Sequence, residues 1–553
     1  MDIIIKNGRI LDGLGDPVPY SPWKTADLGI KNGRIDKIGD LRSEGADRVI
    51  DASNFMVAPG IVNIHSHSDW SLVADGTAQS AVRQGITTEF IGSCASSAAP
   101  LMGEMRDAAM KPGAGMHGVL FEDIDPDWKT MGDYLKRLEK QGTSINICAR
   151  VGHSPLRGSV MGFEYRPPTK GEMEEMKSIL AQSMENGAWG MSTGLIYIPS
   201  SFAEEEEIVE LAKVVAEYGG VYVTHMRGGG DRVFAATMEA IRIAEKSGAP
   251  LHILHHKAMG DRNSAKVLFT LPMIDEAIAR GVDITIGMYP YEAGGANLAA
   301  SFPPWAHEGG LDRFVQRLQD PEIRERLKRE MIEPDLVPNW ESYVAQSGWE
   351  DCWDGFIITS VNTEKNKWME GKTLEEVRPK WQDDALDFMF DLLIEENGRV
   401  GFVLPDVFKR GDKYLRMVMR YPNMCIEGDS SALATSGPLS AGHPHPRNFG
   451  WVPRALGKYC RQERVLTFQE AIRKMTSLPA LRYGMTDRGV IAEGKMADIM
   501  IFDPRRVIDM ATFMDPKQYP LGIPYVIVNG QIVVDDGEHT GKLPGKVLRH
   551  KKS

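Results

Sequence analysis

Val57-Ala58-Pro59-Gly60-Ile61-Val62-Asn63-Ile64-His65-Ser66-His67-Ser68-Asp69 is an apolar run that turns abruptly polar. Residues two apart on a strand point to the same face. His65 and His67 can therefore reach one metal ion from the end of one strand, and the preceding apolar run supplies that strand. A pair of histidines at a strand end needs no metal, so the reading depends on what else the chain brings there.

Further along, His225 closes Gly220-Val221-Tyr222-Val223-Thr224, and His255 closes Leu251-His252-Ile253-Leu254. Apolar runs such as Ile145 to Val151, Val221 to Val223, Leu251 to Leu254 and Val282 to Ile286 alternate with amphipathic stretches. Glu172 to Glu185, Glu205 to Tyr218 and Val233 to Ser247 have helical spacing. Sustained strand-helix alternation implies a parallel sheet covered by helices. The number of units points to an α/β fold closed as a (β/α)8 TIM-like barrel, with a doubly wound open sheet as the alternative. In such barrels catalytic groups sit at the C-terminal ends of strands. Four imidazoles at equivalent ends of three strands favour a metal. His256 should face away from His255, and His252 lies deeper and reads as structural.

Asp429 ends Met424-Cys425-Ile426-Glu427-Gly428-Asp429, which looks like a last strand running into a carboxylate. Such a group could bind metal or take a proton from an activated water. Asp69 follows the histidine pair and reads as a supporting residue behind it.

Outside the alternating region the chain changes character. Asn7-Gly8, Asn32-Gly33 and Asn529-Gly530 each separate short apolar runs, the strongest local hairpin signal. Ala497 to Phe502 adds another strand. The two ends, 1–56 and 488–553, are expected to complete one small β-sandwich, and 57–487 to form the barrel. Roughly 297–353 breaks the rhythm with Pro303-Pro304, a charged stretch from Arg324 to Arg329 and several tryptophans. It reads as an insertion after a strand.

A formal net charge of -12 argues against a nucleic-acid partner and weakly against an anionic membrane surface. The five cysteines (Cys94, Cys148, Cys352, Cys425, Cys460) are too scattered for a disulfide framework. Met1-Asp2-Ile3-Ile4-Ile5-Lys6 lacks the pattern of a signal peptide, and no apolar stretch reaches membrane-helix length. A reducing cytoplasm is expected.

Taken together, His-x-His after Pro-Gly-Ile, the strand-end histidines, the late aspartate and the split terminal sandwich resemble the amidohydrolase superfamily. Within it the chain is similar to the N-acyl-D-amino-acid deacylases (D-aminoacylases). Segments carrying the likeness include Gly152-His153-Ser154-Pro155-Leu156-Arg157, Gly190 to Tyr197, Tyr289-Pro290-Tyr291, His445-Pro446-Arg447 and Thr476 to Ala480. The resemblance implies a role for Cys94, at the end of Gly85 to Ser93, as a metal-binding thiolate. It also implies that Cys94, His225 and His255 hold a tight zinc, while His65, His67 and Asp429 surround a second, weaker or empty position. Many superfamily members bridge two metals with a carboxylated lysine; the matching residue here is Ser192. Asp429 would be the proton acceptor, and Lys257 and Tyr289 would hold the substrate's carboxylate.

The chain departs from that family pattern at Ala95-Ser96-Ser97, Gly228-Gly229-Gly230, Glu292 to Gly295 and Asn63. None of these removes a donor; all bear on which substrate fits. The implied activity is hydrolysis of a linear amide in a small molecule, an N-acyl-D-amino acid or a related N-acyl amino acid. A dipeptide, an ester or a cyclic amide is the alternative, and Ser192 argues against the last.

Overall fold

The computed structural model describes the chain apart from residues 16–23, 112–113, 117–118, 121–122, 261, 343, 345–352, 354, 379–383, 405–412 and 553. Eight parallel strands form the barrel: β1 Ile61–Asn63, β2 Ile86–Ile91, β3 Asn146–Ala149, β4 Gly190–Gly194, β5 Val221–His225, β6 Leu251–Ile253, β7 Ile284–Met288 and β8 Met424–Ile426. The join from β3 to β4 is made by Val151–Gly152, which follows β3 and pairs parallel with β4, and by the Trp189 amide donating to the Ala149 carbonyl at 2.8 Å. Closure comes from the parallel bridge of Ser66 to Ser430, where the His67 amide donates to the Ser430 carbonyl at 2.9 Å. These strands are buried on both faces, which is why they read as unbroken apolar runs.

Helices Lys170–Glu185, Glu205–Glu217 and Val233–Ser247 fall within two residues of the stretches read from periodicity. The first starts at a reciprocal cap between Thr169 and Glu172, which satisfies amide donors that a helix start otherwise leaves open.

Strands from both ends of the chain merge in one nine-stranded sheet. Met56–Pro59 from the N-terminal part lies between Ile3–Ile10 and Ile499–Phe502 from the C-terminal part. Alternate residues face alternate sides. Ile3, Ile5, Val57, Ile499 and Ile501 fill the small domain's own core, whereas Met56, Ala58, Met500 and Phe502 pack on the barrel. The apolar run before His65 therefore divides. Residues 56–59 join the terminal sheet and only 61–63 begin the barrel, with Gly60 at the bend. A Cβ on Gly60 would stand 2.2 Å from Thr87 Oγ1, so only glycine lets the two units meet there.

Two sequence expectations are corrected. Asn32-Gly33 and Asn529-Gly530 are hairpin turns with positive φ at both residues, but Asn7-Gly8 is not. Ile3–Ile10 is one strand, and Asn7, at φ 59°, makes a bulge opposite Lys24–Lys31. The Asn7 amide donates to Asp27 instead of closing a turn. Asn-Gly supplies positive φ, which suits a bulge as well as a turn. The interruption expected at about 297–353 is also longer. Gly294–Asn297, Gly401–Leu404 and Ile357–Ser360 form a separate antiparallel sheet, over a separate core that includes Leu298, Phe314, Phe356, Phe390 and Phe402. Runs such as Phe402-Val403-Leu404 have the same apolar character as barrel strands, so periodicity does not mark them as inserted. The end of the expected range, 345–352, lies outside the described residues, as does Cys352. Cys94, Cys148, Cys425 and Cys460 are buried free thiols.

Residues 543–550 run as a strap along the side of the barrel where its strands begin. The Gly545 amide donates to the Thr143 carbonyl, the Leu548 amide to Ile147, and Trp189 Nε1 to the Leu548 carbonyl. Among the described residues no helix is long and apolar enough to cross a membrane.

Candidate metal centre

The opposite end of the barrel gathers the six predicted donors. His225 is the last residue of β5, and the other five lie two to four residues beyond their strands. Cys94, His255 and Asp429 have left-handed backbone, at φ 48°, 32° and 46°. Such conformations cost of order 1–3 kcal/mol in non-glycine residues and collect at functional sites. Here each turns a side chain off its strand end and into the mouth.

The donor atoms form two groups that share one member. His65, His67, Cys94 and Asp429 each offer an atom within 4.8 Å of the others, as do Cys94, His225 and His255. Cys94 Sγ lies 3.3 Å from His65 Nε2 and 3.7 Å from His255 Nε2. His255 Nε2 is 2.8 Å from His225 Nδ1. Asp429 Oδ1 is 3.1 Å from Nε2 of both His65 and His67. The expected division into a cysteine-bearing and a cysteine-free set thus becomes two sets hinged on Cys94.

Burial and neighbouring charge shift the donors of the cluster in different directions. Burial opposes the Cys94 thiolate, but the charge of His65 and hydrogen bonds from His225, His255 and His65 hold the thiol well below its usual range. Burial likewise opposes the Asp429 carboxylate, yet Arg447 and His65 keep it well below the carboxylate range. Burial, then the charges of Lys257 and His225, push His255 down to about 3, so its ring is neutral and free to ligate. Against burial, Asp429, Glu427 and Cys94 raise His65 well above the imidazole range. Against burial, hydrogen bonds to Asp429 and Cys94 raise His67 as well.

Two participants carried no assignment from the sequence. Glu427 is fully buried and accepts from His65 Nδ1 at 2.8 Å, from the His255 amide at 2.8 Å and from His252 Nε2 at 3.1 Å. His252, read as structural, is its far support and meets Thr285 Oγ1 at 2.8 Å. The one sequence signal was an acidic residue ending an apolar strand. Arg447, present in a family segment, places Nη1 2.9 Å from Asp429 Oδ2 and its guanidinium 4.9 Å from the centre of the Tyr289 ring.

Lys257 Nζ donates to the Tyr289 hydroxyl at 2.8 Å beside this pair. His256 faces the other way, to Thr270. Asp69 accepts from the Gly92 amide, and burial raises it to about 6. Ser192, a serine and not a lysine, is buried within β4 beside Val223. The glycine loop after His225 closes on the inserted module: Glu341 accepts from the amides of Gly229 at 2.5 Å, Gly230 at 2.8 Å and Arg232 at 2.9 Å.

The sequence pattern of the amidohydrolase family matches residues 48–331 and 355–534. N-acyl-D-glutamate deacylase of Alcaligenes xylosoxydans xylosoxydans is 32% identical over 553 residues, covering 100% of this chain and 97% of that protein. D-aminoacylase of the same organism is 32% identical over 548 residues, 99% of this chain and 97% of that protein. The crystal structure of N-acyl-D-glutamate deacylase from Bordetella bronchiseptica, complexed with zinc and a phosphonate mimic of the tetrahedral intermediate, superposes with a TM-score of 0.79 at 30% identity, covering 99% of each chain. Barrel, converging donors and full-length likeness agree, and the chain belongs to the amidohydrolase family.

Proposed function

We propose that the protein is a zinc-dependent hydrolase that removes the acyl group from an N-acyl-D-amino acid by cleaving its linear amide bond. The observation that carries this reading is the buried Cys94 sulfur shared by two donor groups, with the Asp429 carboxylate 3.1 Å from His65 and His67 in one of them. Thiolate and neutral imidazole at this spacing suit zinc. Cys94, His225 and His255 would hold the tighter ion; His65, His67 and Asp429, with Cys94, would surround a weaker second position. Full-length likeness to deacylases of N-acyl-D-glutamate and N-acyl-D-aspartate and to a D-aminoacylase supports the D-configured substrate.

Bound zinc supplies Lewis acidity, polarising the scissile carbonyl and acidifying the attacking water. Asp429 accepts the proton that water loses as its oxygen adds to the carbonyl carbon. As the carbon-nitrogen bond breaks, Asp429 returns that proton to the leaving amine. Lys257 offers a point charge and Tyr289 a hydroxyl to the substrate's carboxylate, and their mutual hydrogen bond keeps both in place.

The test is amine release by the zinc-loaded protein from N-acetyl-D-amino acids, their L-counterparts, dipeptides and hydantoins. Turnover confined to the D-series is expected; turnover only in the other series overturns the reading. Asp429→Asn should lower kcat by about 10²–10⁴-fold, the usual range for a proton-transfer group, with zinc still bound.

A further inference from the structure

We propose that Glu427 is a positioning residue that fixes the tautomer and orientation of His65 and ties it to His255, so that one buried carboxylate braces both donor groups. The inference rests on the reading of His65 and His255 as zinc ligands and adds a residue to which that reading gives no part.

Hydrogen-bond bookkeeping carries the argument. An ionised carboxylate has only acceptor sites. Each ring nitrogen that faces Glu427 at hydrogen-bond distance must therefore carry the hydrogen: His65 Nδ1 at 2.8 Å and His252 Nε2 at 3.1 Å. With its hydrogen on Nδ1, a neutral His65 keeps its lone pair on Nε2. That atom lies 3.3 Å from Cys94 Sγ and 3.1 Å from Asp429 Oδ1, among the other donors. With its hydrogen on Nε2, His252 has a lone pair on Nδ1 to accept the Thr285 hydroxyl hydrogen at 2.8 Å. Every hydrogen in the row from Thr285 to His65 thus follows from one acceptor group, the Glu427 carboxylate.

The same carboxylate acts on the second group through the backbone. Its Oε1, which takes the His65 hydrogen, also accepts the His255 amide at 2.8 Å. His255 sits at φ 32°, and this hydrogen bond holds the turn that swings its ring toward Cys94. The barrel has made room for the group: a Cβ on Gly287 would stand 2.0 Å from Glu427 Oε2. A ligand histidine that gives its second ring hydrogen to a carboxylate is oriented and made more basic by it, and loss of such a partner typically weakens metal binding 10–100-fold.

The experiment compares Glu427→Ala, Glu427→Gln and His65→Ala with the unmodified full chain. Zinc affinity at the tighter and at the weaker position is measured by chelator competition, and the visible absorption bands by substitution with Co²⁺. Glu427→Ala should bind zinc about 10–100-fold more weakly with shifted Co²⁺ bands. Glu427→Gln, which keeps an acceptor but no charge, should recover part of the affinity. If Glu427→Ala retains the parental affinity and bands, the positioning role is overturned. If that variant does not fold, Glu427→Gln decides: a several-fold loss supports the role, and an unchanged affinity and spectrum overturns it. Should His65→Ala also leave both readouts unchanged, the ligand reading fails and takes this inference with it. A loss in His65→Ala without one in the Glu427 variants removes the inference alone.

Discussion

Arg447 and Asp429 form an ion pair at 2.9 Å through Oδ2, leaving Oδ1 to face His65 and His67. Against burial, the Arg447 charge is the largest influence holding the carboxyl below its usual range. The carboxylate is the form that accepts a proton, and it prevails above the pKa. Lowering that pKa extends activity toward acid. Arg447→Met should therefore move the acid limb of the kcat/KM profile to higher pH. Superimposable acid limbs in the two proteins would contradict this.

Cys94 belongs to both donor groups, whereas His67 belongs to one. Cys94→Ala should therefore weaken zinc binding by more than the ~10–100-fold that a supporting partner costs. His67→Ala should leave the tighter ion in place. Metal analysis after dialysis separates the cases, and one equivalent of zinc retained by Cys94→Ala at the parental affinity would refute the assignment.

His307 lies in the inserted module, stacked on Phe314 at 4.2 Å, with Nε2 donating to the Ala299 carbonyl. Burial pushes it from 6.5 down to about 4. Between those values the unfolded chain binds a proton that the folded chain does not, so stability rises with pH across that window and falls on acidification. The full effect is about 3 kcal/mol at most. His307→Gln, which cannot titrate, should lose less stability between pH 7 and pH 4.5 in urea unfolding. Equal losses in the two proteins would remove His307 as the source.

The C-terminal strap makes backbone hydrogen bonds from Gly545, Leu548 and His550 to Thr143, Ile147 and Gly187, and accepts from Trp189 Nε1. At about 0.5–1.5 kcal/mol each, these are worth roughly 2–6 kcal/mol together. Removing residues 543–553 should lower the melting temperature by several degrees without changing zinc affinity, since the donors lie at the other end of the barrel. An unchanged melting temperature would show the strap to be dispensable.

What the sequence by itself determined was local. Apolar runs and amphipathic stretches placed Val221–His225, Leu251–Ile253 and the helices Glu205–Glu217 and Val233–Ser247 within a residue or two, because burial repeats with each element's own period. His-x-His, strand-end histidines and Asp429 were visible for the same reason: a strand's end is written in the strand. Cys94 and the Lys257–Tyr289 pair came from the family likeness instead. Only the tertiary structure decided the rest. Asn7-Gly8 became a bulge because a partner strand with Asp27 was there to receive it. The inserted module ran past its expected end because its strands pair with one another and not with the barrel. Glu427 gained its part because barrel closure carried it to His65 across 362 residues. No sequence period encodes a contact of that separation; it exists only once the strands have closed into a ring.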